Sequence, residues 1–170
     1  MADIIKEAGL SAGSIYSHFE SKEELLRFAA TTVLEAQADF IEEILAAERA
    51  VTPSSLVDHL AKRISDMMPW HAMIQIWGEI ARDSNLRQIA TEMVTNVRAL
   101  LTRALGAWAS HHREDDTTAR LLAEQAADTV LTTLHGYMIR AVIDRNIKPE
   151  LLLRTLTAGL ENLEQRLPVS

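Results

Sequence analysis

Apolar residues recur at three-and-four spacing through nearly the whole chain, and no stretch sustains the two-residue alternation that a half-buried strand requires. That pattern predicts an all-α fold. Leu26, Ala29, Val33, Phe40 and Ile44 mark a long helix interrupted by Thr52-Pro53. It opens on Ser21-Lys22-Glu23-Glu24, a capping box in which Ser21 accepts from the Glu24 N–H and the Glu24 carboxylate reaches back to that of Ser21. Leu56, Leu60, Ile64 and Met67 define the next helix, ended near Met68-Pro69, and Trp70, Met73, Ile74 and Trp77 another, which stops around Asp83-Ser84-Asn85. Leu86, Ile89, Met93, Val97, Leu100 and Leu105 carry the rhythm unbroken to Trp108, before a polar loop from His111 to Asp116.

Two helices remain. The first, predicted from Thr117 to Asp144, carries Leu122, Ala126, Val130, Leu131, Leu134 and Met138, enough apolar positions to be buried on two sides. The second follows Lys148-Pro149, and its Leu153, Leu156, Leu160, Leu163 and Leu167 alternate steps of three and four, the seam spacing of helices that pack nearly side by side.

Several function classes are excluded early. With 170 residues, 48% of them hydrophobic and 24% charged, the chain reads as a soluble globular protein able to bury a core. It has no cysteine, which removes disulfides, thiolate metal sites and a cysteine nucleophile. No basic leader precedes an apolar run and no stretch of about 18 uncharged apolar residues occurs, so a cytoplasmic protein with no membrane partner is expected. A net charge of −7 argues against non-specific coating of nucleic acid, so any DNA contact must be local. There is no Gly-rich phosphate loop, no zinc-protease motif and no nucleophile elbow. Glu23 and Glu24, like Glu42 and Glu43, diverge by about 100° around a helix and form no carboxylate dyad. No enzyme activity and no cofactor are expected. Adjacent His111 and His112 in a charged loop do not converge on one ion, so no metal site is expected either.

The N-terminal segment is the most informative. Ala2 to Ala8 reads as a short helix stopped by Gly9, Ser11 as the cap of a second one running to about His18. The Ala8-Gly9-Leu10-Ser11 turn, the Gly13-Ser14-Ile15-Tyr16-Ser17-His18-Phe19 core and the Ser21-Lys22-Glu23-Glu24-Leu25 exit closely resemble the helix-turn-helix signature of the TetR family of bacterial transcriptional repressors, in order and in spacing. Farther on, Trp77-Gly78-Glu79-Ile80-Ala81-Arg82-Asp83 is a weaker echo of that family's ligand-binding region.

The resemblance implies a helix-turn-helix DNA-binding segment over residues 1–27, joined to a larger helical effector-binding and dimerisation domain over residues 28–170. It implies further that the chain starts inside the second helix of the DNA-binding unit. Residues 1–27 set Lys6, Lys22 and Arg27 against Asp3, Glu7, Glu20, Glu23 and Glu24, so the segment is net acidic and its basic surface is expected on the absent first helix. In such a unit the second helix enters the major groove of double-stranded operator DNA. Ser11, Ala12, Gly13 and Ser14, at its leading turn, are small enough to bring backbone N–H groups to phosphate oxygens. Tyr16, Ser17 and His18 then face phosphates or base edges, and Lys22 anchors a phosphate.

Met67, Met68, Trp70, His71, Trp77, Met93, Asn96, His135 and Met138 are candidates to line a pocket for a small, largely apolar effector, since Met and Trp make adaptable walls and a few polar groups orient the ligand. The same residues at helical spacing also suit plain core, and His135 among Leu131, Leu134 and Met138 suits a hydrogen-bonded interior histidine. Homodimerisation is expected through the last two helices, with Leu122, Val130, Leu153, Leu156, Leu160, Leu163 and Leu167 at the interface. The reading is a repressor released from its operator by an effector. The alternative is a helical dimer that binds a ligand or protein without DNA.

Overall fold

The computed structural model describes Phe19, Ser21, Glu24, Leu25, Phe28, Asp39, Glu42, Glu43, residues 51–67 (the backbone alone for 64–67), Ile74, Trp77, Gly78, and residues 80–113, 115–144 and 146–167. Among these residues there is no strand, and five helices are delimited: α1 (Pro53–Met67), α2 (Ser84–Ala104), α3 (Gly106–His111), α4 (Asp116–Ile143) and α5 (Pro149–Glu164). The all-α expectation holds, and among the described residues the helix boundaries lie where the sequence places them, except at one point.

Each helix start has a local cause. Pro53 opens α1, where a residue without an N–H leaves no donor unsatisfied. Before it, the Thr52 N–H donates to Ser55 Oγ (3.0 Å) and the Ser55 N–H to Thr52 Oγ1 (3.3 Å). The Asp83 carboxylate accepts from the N–H groups of Asn85 and Leu86 and caps α2, so the polar stop seen in the sequence is also a start. Asp115 caps α4 in the same way through Thr118 N–H (2.9 Å) and also accepts the Thr118 hydroxyl. Pro149 begins α5 behind Lys148.

The exception is Leu105. The periodicity from Leu86 to Trp108 predicts one run, but the chain turns at Leu105 and restarts as α3. Gly106 follows, a residue that costs about 1 kcal/mol relative to alanine inside a helix. Leu105 is fully buried, and the restart turns Trp108 and Ala109 into the interior, where α3 packs on α4. Tertiary burial overrides a continuous periodicity at that position.

At the centre, α4 packs against each of the other four helices. Its buried positions are Ala119, Ala123, Ala126, Ala127, Val130, Leu134, Tyr137 and Met138. The alanines at steps of three and four let neighbouring backbones come close, and the larger residues fill the space beyond them. Around α4 close Leu56, Val57, Leu60 and Ala61 of α1, Val97, Leu101 and Ala104 of α2, Trp108 and Ala109 of α3, and Leu152 and Leu153 of α5. At the rim of this core, Arg98 on α2 grips Asp128 on α4 through two hydrogen bonds of 2.6 and 2.9 Å. The hydrogen bond from Arg98 holds the Asp128 carboxyl below its ordinary value, and those from Thr118 do the same for Asp115.

Two outcomes are expected. Leu101→Ala removes a side chain with no exposure and should lower the unfolding free energy by about 2–5 kcal/mol in a urea titration. Because Asp115 and Asp128 titrate lower in the folded chain than in the unfolded one, their contribution is complete above the ordinary aspartate value and vanishes as pH falls through the folded values. Asp128→Asn should therefore flatten the acid limb of a melting-temperature profile between pH 5 and pH 2.

Candidate DNA-reading segment and effector face

The residues expected to meet DNA, Ser11, Ala12, Gly13, Ser14, Tyr16, Ser17, His18 and Lys22, lie outside the described residues. What is described is the exit from that unit. The Glu24 N–H donates to Ser21 Oγ (3.1 Å) and the Leu25 N–H to the Ser21 carbonyl (3.2 Å), so Ser21 is the helix cap that the sequence predicts. Across this cap the ring of Phe19 meets that of Phe28 at 5.4 Å, tilted by 50°, which ties a residue two positions before the cap to the second turn beyond it. Helical backbone recurs at Asp39, Glu42 and Glu43.

Among the described residues, one contact fastens this segment to the body of the protein and a second ties the start of α1 to the end of α5. Arg103, in the last turn of α2, donates to Glu42 at 2.6 Å, with both side chains well exposed. The second lies where the segment hands over to α1. The Ser54 N–H donates to Glu164 Oε1 (2.7 Å) and the Ser54 hydroxyl to Glu164 Oε2 (2.9 Å), across 110 positions of sequence. Ser54 is buried, and Thr52 Oγ1 lies 2.8 Å from its hydroxyl. A carboxylate at the first turn of a helix is favoured both by the unsatisfied N–H groups there and by the positive end of the helix dipole. No signal in the sequence marks this pairing, since Glu164 reads as one more charged residue in a terminal helix.

The effector candidates divide. Trp77 and His135 come together, ring centroids 4.9 Å apart and nearly perpendicular, with Trp77 half-buried against the core. Met138 is a core residue, Met93 is half-buried on α2, and Asn96 is exposed. Of Met67 the backbone alone is described, at the end of α1, and Met68, Trp70 and His71 lie outside the described residues. His135 thus meets the indole of Trp77 edge-on. Burial pushes the His135 imidazole below its ordinary value, so it is neutral at pH 7.

The leucine seam turns mostly inward. Val130 has no exposure and Leu153 is buried, both in the chain's own core, with Leu122, Leu156, Leu160 and Leu167 packed against it; Leu163 alone of the seven is exposed. On the opposite faces of the same two helices, Leu121, Ile139 and Ile143 on α4 and Leu151 on α5 are exposed. Leu121, Ile139 and Ile143 form one stripe, at steps that are close to whole helical turns. The sequence carried that stripe, but α4 is apolar on several sides and only packing shows which side stays open.

Among the described residues, no group of three His, Asp or Glu side chains is placed to hold a metal ion, and no helix is long and apolar enough to cross a membrane. Residues 1–29 match the model of the family described as bacterial regulatory proteins, tetR family. No curated protein and no solved structure matches the chain. The N-terminal segment thus matches that of tetR-family bacterial regulatory proteins, and the match lies ahead of the five delimited helices.

The low-titrating His135 has a definite sign of effect. Its unfolded form takes up a proton near pH 6.5 and its folded form at lower pH, so stability is full above the ordinary value and declines as acid is added through that window. His135→Phe is expected to remove this decline, read as the difference in melting temperature between pH 7.5 and pH 5.5.

Proposed function

We propose that the chain is a homodimeric, effector-released repressor of double-stranded operator DNA. The match of residues 1–29 to a family of DNA-binding regulators carries the reading. It is supported by the capped exit at Ser21 and by the tie from Glu42 to Arg103, which connects the segment after the DNA-reading unit to the helical body. In this reading residues 1–27 form the DNA-binding unit and residues 28–170 the effector and dimer domain. Ser11, Ala12, Gly13 and Ser14 set backbone N–H groups against phosphates, Tyr16, Ser17 and His18 face the groove, and Lys22 neutralises one phosphate.

Dimerisation through α4 and α5 brings two such units to successive major grooves. The exposed stripe of Leu121, Ile139 and Ile143, with Leu151 and Leu163, supplies the apolar surface for it. The effector is small and largely apolar, received beside Trp77 and the neutral His135, with Met93 and Asn96 on the neighbouring α2 and with Met67, His71 and Met138. It releases DNA only in so far as it binds the spacing unsuited to the operator more tightly than the other. The protein works in the cytoplasm, where its operator is.

The net charge of −7 favours a second reading, a dimeric ligand- or protein-binding module that leaves DNA alone. Fluorescence anisotropy with duplexes from the DNA flanking the gene, at two salt concentrations, separates the two. A repressor binds one duplex selectively and loses affinity steeply with salt, and Lys22→Ala should weaken binding to all duplexes while lowering the salt slope by about 1. Absence of any selective duplex leaves the module reading. The interface is tested by Ile139→Glu with Ile143→Glu, which should convert the dimer to a monomer in sedimentation with the helical circular dichroism retained; an unchanged mass rejects it.

A further inference from the structure

We propose that the Glu164 carboxylate is a positioning group: by gripping Ser54 at the start of α1, it fixes the direction in which the segment before Thr52 leaves the helical body, and with it the presentation of the DNA-reading unit. The geometry carries this. Glu164 is the last residue of α5, and both of its oxygens are engaged, one by the Ser54 N–H at 2.7 Å and the other by the Ser54 hydroxyl at 2.9 Å. A two-point grip on a buried serine fixes the orientation of the first turn of α1 as well as its distance, whereas a single exposed ion pair fixes neither.

Immediately before that turn, the reciprocal hydrogen bonds of Thr52 and Ser55 and the fixed φ of Pro53 leave the backbone little freedom. Whatever orients α1 therefore orients the chain that arrives at Val51, which itself packs on the core. The residue next to Glu164 is Leu163, exposed at the end of α5. A shift of α5 against a second copy would thus be delivered directly to the handover between the two parts of the chain. The inference rests on the regulator reading for its purpose, though not for its geometry.

The chain has no cysteine, so a pair of introduced ones carries spin labels without interference. Asp39→Cys and Arg120→Cys place labels on two exposed helical positions, one in the N-terminal segment and one on α4. Pulsed dipolar spectroscopy of the full chain, diluted with unlabelled chain so that only distances within one protomer are read, is the measurement. The parent should give one narrow distance distribution. Glu164→Gln, which keeps the shape and removes the charge, and Ser54→Ala, which removes one of the two hydrogen bonds, should shift or broaden it beyond the parent width.

Glu164→Asp should lie between parent and Gln variant. Ser54→Ala, a smaller change with no loss of charge, keeps the question answerable where Glu164→Gln fails to fold. Variants that melt at lower temperature yet retain the parent distribution would show Glu164 to be only a staple, and the proposal falls. A changed distribution with no selective duplex bound by any form leaves the joint standing and removes the regulator reading instead.

Discussion

Burial of α4 on every flank but one sets the form of this protein. A helix of 28 residues packed against four others has to combine close approach with filled volume, and the sequence does so with buried alanines in its first half and Val130, Leu134, Tyr137 and Met138 in its second. Because α4 is the shared partner, the other helices are placed relative to one another through it. Trp77 reaches His135 and Trp108 turns inward as consequences of where α4 lies. The flank left open is also fixed by this packing, and it carries Leu121, Ile139 and Ile143.

Polar contacts have a different part. Exposed ion pairs such as Glu42 with Arg103 contribute at most about 1 kcal/mol each, so their value is in choosing one arrangement over another, not in holding the fold together. Glu164 with Ser54 belongs to another order. Hydrogen bonds to a charged group contribute about 1.5–3 kcal/mol, and a buried donor left unmatched costs a similar amount. That contact joins positions 110 apart and ties the first turn of α1 to the last residue of α5.

Much of this was legible in the residues. Ser21 and Pro149 mark helix starts, and Asp83 a stop that proves also to be a start, because such punctuation acts between residues a few positions apart, which sequence order alone brings together. The helix-turn-helix signature was legible for the same reason: its turn, its core and its exit are all short-range. The break at Leu105 was less so, because the periodicity runs through it and Gly106 is the one local sign of it, while Leu105 and Trp108 are buried there. For the leucine seam, the step of three and four states only that a face is apolar. It does not state whether the neighbour is the same chain or another.

Sequence order by itself determined the helices, most of their ends and the family of the N-terminal segment, since these depend on interactions within a few residues along the chain. Tertiary structure alone decided that Leu153 and Val130 point inward while Ile139 and Ile143 point out, that Trp77 meets His135, and that Glu164 closes on Ser54. Those outcomes depend on which helix lies beside which, and a one-dimensional pattern of apolar spacing is the same for every such arrangement.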